Sequence, residues 1–494
     1  MQQTSPIIKK IGPPRLLVVG AAALGCLALA VALAVLPLRV AAGLVFGVAG
    51  LVLTAAHPVW PLCAAILSVP VQELVTLPGG LSVTQACLLL ALGGLGLHVL
   101  GHPERPLRGG RLLWPLAIFL WALALSAALT PYSRGEALKE TLRWATVLLI
   151  YLLALRSLAG SAAHPLRLWP LLLVLACLLL APAADALIGV RQYLTGDGPP
   201  SFALAPGRVR AYGTIGQPNS FAGYMNQAWP LAAGLAIFAL GGLVGGAPRR
   251  LAGGVLALSG AAAGALLAGL LTSFSRGGWV GALGGAAGLA LASLPLLEPR
   301  LRRAAWVAGG AGAAGAMLLL LLGGGGLLPA PLAQRLGSIG ANLRLFDVRT
   351  VEITPANFAV VERMAHLQAG WDMLRSRPLL GVGPGNFSVA YEREPGPGEL
   401  PFWTMPWYGS RGHAHNYYLH VAAEGGTLGA AGYLALIGAS GAQAVRAVRL
   451  ARGWLWRGVA AGGAGVVAAV AAHNLFENLP VLNMGLQLGT VWAL

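Results

Sequence analysis

Apolar runs of bilayer length recur along almost the whole 494-residue chain, separated by short polar breaks. A helix needs about 20 apolar residues to cross a membrane. The pattern predicts spans near 15–36, 40–56, 58–77, 83–100, 112–130, 137–156, 167–190, 219–245, 252–272, 277–297 and 304–323. After a long gap, further spans are predicted near 417–444, 457–475 and 479–494. The first run is too long, and has too many successors, to be a cleaved signal peptide. Ala, Leu and Gly dominate without alternation, which argues against a transmembrane barrel. The expected fold is an all-α polytopic integral membrane protein, with about 12–14 transmembrane helices and one large periplasmic loop subdomain.

The polar breaks divide the chain into N-terminal spans (1–190), spans with Arg-bearing external loops (191–323), a large loop (324–414) and C-terminal spans (415–494). Lys and Arg in short loops set orientation. Counting spans alternately, one side receives Lys9, Lys10, Arg15; Arg105, Arg108, Arg111; Arg156, Arg167; Arg249, Arg250; Arg300, Arg302, Arg303; and Arg446, Arg449, Arg452, Arg457. That side is expected to be cytoplasmic. The loop 191–218 and the segment 324–414 then lie outside. The long segment holds 8 of the 30 arginines and 7 of the 16 acids. A helical pattern runs through Val361–Leu374 and stops at Arg377-Pro378, because proline disfavours continuation. A turn-rich run, Gly381-Val-Gly-Pro-Gly-Asn-Phe387, follows. No G-K-[ST] completes a phosphate-binding P-loop there.

Composition narrows the function. Hydrophobic residues make up 57% of the chain and charged ones 10%, too few charges to cover soluble domains of this size. The net charge of +17 would fit nucleic acid, but the basic residues sit between apolar runs rather than in one patch. They serve topology and an anionic substrate instead. Cys26, Cys63, Cys87 and Cys177 all lie in apolar stretches without ligand spacing, so neither a disulfide framework nor a zinc site is expected.

Outward-facing polar clusters are the candidates for chemistry. Arg208-Val-Arg210 precedes Gln217-Pro-Asn219, where Asn219 can cap the next span and leave an anion-favouring helix start beside Arg210. The plain alternative is a capped loop with stray arginines. Ser275-Arg276 begins another span, with Ser275 as cap and Arg276 in the first turn, where the dipole disfavours a cation unless something negative offsets it. A snorkelling arginine would look the same. His413-Ala-His415-Asn416 comes next, with His420 and Glu424 at i,i+4 spacing. His-x-His-x4-His is not a metal-ligand spacing, so base or hydrogen-bonding roles are favoured over metal. His473-Asn474-Leu-Phe-Glu477-Asn478 is a weaker cluster, read mainly as helix-end polarity.

Taken in order, Arg210-x-x-Gly213-Thr214-x3-Pro218-Asn219, Ser275-Arg276-Gly277, Glu362-Arg363, Pro378-Leu-Leu-Gly381-Val-Gly383-x-Gly385-Asn386-Phe387 and His415-Asn416-x9-Gly426-x-x-Gly429 resemble the O-antigen ligase and O-antigen polymerase superfamily. The similarity runs from about 200 to 480. It implies a bacterial inner-membrane glycosyltransferase whose donor is a glycan on undecaprenyl diphosphate. Acceptors in the superfamily are lipid A-core, another lipid-linked repeat, or protein side chains.

On this basis the expected site comprises His415 as general base, Arg210, Arg276 and Arg363 on the diphosphate, and Asn416, Asn219 and Glu424 in support. Guanidinium forks would neutralise the leaving diphosphate without metal or other cofactor. Attack from the opposite face would invert the anomeric centre. The expected partners are the lipid-linked donor, a hydroxyl acceptor and membrane lipids, with no nucleic acid. A transporter or flippase is the competing class. Such proteins usually place ionisable groups at mid-membrane within repeated halves, and no repeat is visible here. A purely structural scaffold would leave the outward Arg and His clusters without a role.

Overall fold

The computed structural model describes residues 38–77, 80–102, 109–159, 168–297, 347–354, 357–394, 412–479 and 483–494, with a few isolated positions between them. The predicted spans 15–36 and 304–323 lie outside the described residues. The N-terminal helices are α1 (Leu38–Ala56), α2 (Val59–Ser68), α3 (Val83–Gly101), α4 (Leu113–Ala128), α5 (Arg134–Ser157) and α6 (Trp169–Thr195). A small antiparallel pair, β1 (Ala203–Ala205) and β2 (Arg208–Val209), leads to α7 (Pro218–Asn226), α8 (Trp229–Val244), α9 (Arg249–Thr272) and α10 (Arg276–Ser293). Beyond the long segment's helices α11 (Phe358–Ser376) and α12 (Phe387–Glu392) come α13 (Tyr417–Leu450), α14 (Gly453–His473) and α15 (Gly485–Ala493).

This is an all-α polytopic membrane fold. Seven described stretches are long and apolar enough to cross a membrane: α3, α6, α7 with α8, α9, α10, α13 and α14. Two expectations need correcting. The run 58–77 yields a ten-residue helix that ends in a 3-10 turn at Val69–Val71, where Pro70 interrupts the hydrogen-bond ladder. The run 219–245 forms a span as expected, with a turn between α7 and α8 at Gln227 and Ala228. The final run 479–494 gives only the nine-residue α15, about 14 Å long. Asn483, at φ 58°, precedes it, and it packs against α5.

Small residues set the closest helix contacts. A Cβ on Gly284 of α10 would lie 2.5 Å from Ala472 Cβ, and one on Gly288 would lie 2.5 Å from Ala468 Cβ, both on α14. Lipid tails give no hydrophobic drive for helix pairing, so association depends on this close van der Waals approach.

The feature that positions the long segment is a break inside α13. Gly426 has φ 64° and ψ −164°, a conformation that only glycine adopts without strain. The break releases backbone groups that would otherwise pair along the helix, and the turn-rich run takes them up. Val382 N–H donates to Ala423 O (2.9 Å) and Gly383 N–H to Glu424 O (2.8 Å). Thr427 N–H donates in turn to Pro378 O (2.7 Å). The other flank is held by the α4–α5 connection. Thr130 donates to Val382 O (2.6 Å), and Asn386 Oδ1 accepts from Ser133 N–H (3.0 Å). Gly381, Gly383 and Gly385 all have positive φ, as the turn-rich sequence predicts.

Candidate active site

The sequence of each element explains where its side chain points. Ser275 caps α10, its Oγ accepting from Gly278 N–H at 3.1 Å, so Arg276 emerges from the first turn. Asn416 caps α13 by accepting from Leu419 N–H at 2.9 Å. Its Nδ2 donates to Leu475 O at 3.1 Å, tying α13 to the end of α14. His415, immediately before the cap, has φ 54°. A left-handed non-glycine residue is costly and tends to mark a functional site. Here it turns the imidazole away from the helix axis and into a pocket.

That pocket has a volume of about 200 Å³. Arg210, Asn219, Arg276, Arg363 and His415 all line it, together with Phe274, Glu362, Phe476 and Glu477. Residues spread over more than 200 positions of sequence thus meet at one end of the bundle. Two expected supporting residues lie elsewhere. Asn416 is the helix cap described above. Glu424 is buried in α13 and does not line the pocket; its carboxylate accepts from Gly385 N–H (2.8 Å) and Phe387 N–H (3.0 Å). It therefore pins the turn-rich run, which in turn carries α11 and Arg363. The expected i,i+4 pairing is present, with His420 Nε2 3.5 Å from Glu424 Oε2.

Asn219 does not cap α7. Gln217 occupies the cap position with no side-chain hydrogen bond, and Pro218 follows as the first helical residue. Released from capping, the Asn219 amide bridges two other groups. Its Oδ1 accepts from Arg210 Nη2 at 2.8 Å, and its Nδ2 donates to Glu477 Oε2 at 2.7 Å. Arg210 Nε donates to Ser273 O at 2.9 Å, which orients the guanidinium beside Arg276.

Glu477 is the residue that sequence reasoning missed. Its Oε1 lies 3.5 Å from both His413 Nε2 and His415 Nδ1. Burial pushes the carboxyl up, but the neighbouring His413 and His415 rings and the nearby Arg363 outweigh it and hold the group well below the usual carboxylate range. Burial lowers His413 to about 3, against the pull of Glu477, so its ring is neutral at physiological pH. A second overlooked residue is His366 on α11. It is fully buried, with its ring centroid 5.4 Å from Tyr391 and 5.5 Å from His415. The only sequence signals were a Glu in a weak polar cluster and a His four residues after Glu362.

Tertiary proximity also assembles possible metal-ligand sets that no local spacing shows. Glu362, His366 and His415 form one, and His413, His415 and Glu477 the other, each with ligand atoms within 4.8 Å of one another. Both share His415. Of these residues Glu362, His415 and Glu477 line the pocket that carries three guanidinium groups, an arrangement that opposes a dication and complements an anion.

Residues 261–434 match the family described as O-antigen ligase. Over this stretch the chain is similar to O-antigen ligases. The matched stretch includes Arg276, Arg363, the turn-rich run and the His415-Asn416 pair. No curated protein matches the chain. Arg210, Asn219 and Glu477 fall outside the matched residues, yet they line the same pocket as those within it. The family supports a membrane function of the O-antigen ligase or polymerase type, with lipid-linked glycan and polysaccharide partners in general.

Proposed function

We propose that the protein is a metal-independent, inverting glycosyltransferase that moves a glycan from undecaprenyl diphosphate to an acceptor hydroxyl. The convergence of Arg210, Arg276, Arg363 and His415 on one pocket carries this reading. The reacting atoms are assigned as follows. The acceptor O–H gives its proton to His415 as its oxygen bonds to the anomeric carbon. The bond from that carbon to the diphosphate oxygen breaks, and the diphosphate leaves with the electron pair. The arginines stabilise the charge that develops on it, the kind of preorganised electrostatic contribution that dominates many such sites.

Glu477 beside His415 Nδ1 would fix the ring's tautomer and stabilise the imidazolium that forms. The pocket would face the periplasm of a bacterial inner membrane, because the basic loops gather at the opposite helix ends. The proposed acceptor is a hydroxyl on a glycan, on lipid A-core or on another acceptor molecule. A repeat-unit polymerase is the alternative within the superfamily. Incubating purified protein with a lipid-diphosphate glycan and alternative acceptors tests the reading. One discrete adduct identifies a ligase and a ladder a polymerase, whereas no transfer to any acceptor by folded protein that still binds donor would refute both.

A further inference from the structure

A second cavity lies at the opposite end of the bundle and is independent of the proposed reaction. It has a volume of about 820 Å³, within the roughly 300–1,000 Å³ typical of ligand pockets. The C-terminal parts of α10 and α13 and the stretch of α14 from Arg457 to Ala471 line it, with walls that include Leu296, Val445 and Val467. Arg449, Arg452 and Arg457 also line it, and none of the described lining residues is acidic. A neighbouring cavity of about 380 Å³ shares Arg452 and Val467.

Arg449 and Arg452 are exposed and Arg457 is half-buried. Arg452 Nη1 donates to Arg449 O (3.2 Å), and Arg457 Nη1 donates to Leu296 O (3.4 Å). Arg457 Nε is buried without a hydrogen-bond partner. Arg457 thus differs from an arginine serving only topology, which would extend its whole head into water. We propose that this cavity binds an anionic phospholipid, its acyl chains against the apolar walls and its phosphate among the three arginines. The charge decides the class of lipid: a zwitterionic headgroup would bring an ammonium close to three guanidinium groups, and an anionic one does not. Basic pockets between transmembrane helices recognise anionic headgroups in this way.

The test uses the full-length protein and native mass spectrometry with equimolar phosphatidylglycerol and phosphatidylcholine. Phosphatidylglycerol should be retained at least about tenfold over phosphatidylcholine, since each basic group near the headgroup adds to the preference. The triple variant R449Q/R452Q/R457Q should lose that preference while melting in phosphatidylcholine as the parent does. Gly441→Leu, at a lining position with open space around its Cβ, should reduce retention with all three arginines intact. Equal retention of both lipids by the parent would overturn the proposal without any variant. So would a triple variant that keeps the preference, or a Gly441→Leu protein that retains phosphatidylglycerol unchanged.

Discussion

Asn219 and Glu477, 258 positions apart, are joined by a 2.7 Å hydrogen bond from amide to carboxylate. The other end of the same amide accepts from Arg210. One uncharged side chain thus holds a guanidinium and a carboxylate in a fixed relation without letting them pair directly. A direct ion pair would neutralise the arginine and weaken its hold on an anion. Asn219→Asp should collapse the arrangement, placing a second negative charge beside Glu477. Donor affinity should fall more than with Asn219→Ala, measured by titrating lipid-diphosphate on folded protein. Equal or better binding by the Asp variant would refute the spacer role.

Arg210→Ala and Arg276→Ala should each remove about 2–4 kcal/mol of transition-state stabilisation, the scale of one preorganised donor. Lysine at either position should restore only part of it, because a point charge lacks the bidentate fork. Arg363→Ala should cost less, since α11 offers nearby acids as alternative partners. Transfer rates under single-turnover conditions check the order. Full activity of both Ala variants at normal protein levels would remove the arginine grip.

His415→Ala should slow transfer by about 10²–10⁴-fold, the usual contribution of a general base, with donor binding preserved. His413→Ala should be milder. If His415 serves only packing, its Ala variant would lose thermal stability together with activity. Affinity, turnover and melting on one preparation separate these outcomes.

The ionised Glu477 has a definite pH signature. Its folded-state pKa lies below the ordinary carboxylate value, so its stabilising contribution is complete above that value. The contribution is lost as pH falls through the folded pKa. Glu477→Gln should therefore lower melting temperature at neutral pH and narrow its gap to the parent as the solution is acidified. A gap that widens with acid would reverse the sign and refute the assignment.

Chelation should leave transfer intact, because the pocket presents three arginines to the diphosphate. Loss of activity in EDTA that Mg²⁺ or Mn²⁺ restores would instead assign a metal to one of the His415-sharing sets.

Much of this organisation is legible locally. Ser275 precedes its helix as a capping serine should, and Arg377-Pro378 stops α11 where proline geometry demands. The glycines of the turn-rich run take the positive φ values that their spacing suggests. What stays hidden depends on tertiary meeting. Asn219 looks like a cap because capping is the commonest local use of that residue before a helix, but Gln217 holds the position and the amide is free for Glu477. Glu477 itself sits in an ordinary helix-end cluster, and only the folded bundle brings it against His413 and His415. The last apolar run has the composition of a span; Asn483, at φ 58°, precedes its helix, a backbone feature that hydropathy does not encode.

The break at Gly426 carries a consequence for chimeras. Residues 378–387 are stitched to the two faces of that break and to the turn between α4 and α5. Transplanting the long segment alone from one relative into another would leave those seams unmatched, however well its own helices fold. A working graft must bring the α13 break and the residues around Thr130 and Ser133 with it. The long segment then cannot drift independently of the membrane helices it is stitched to.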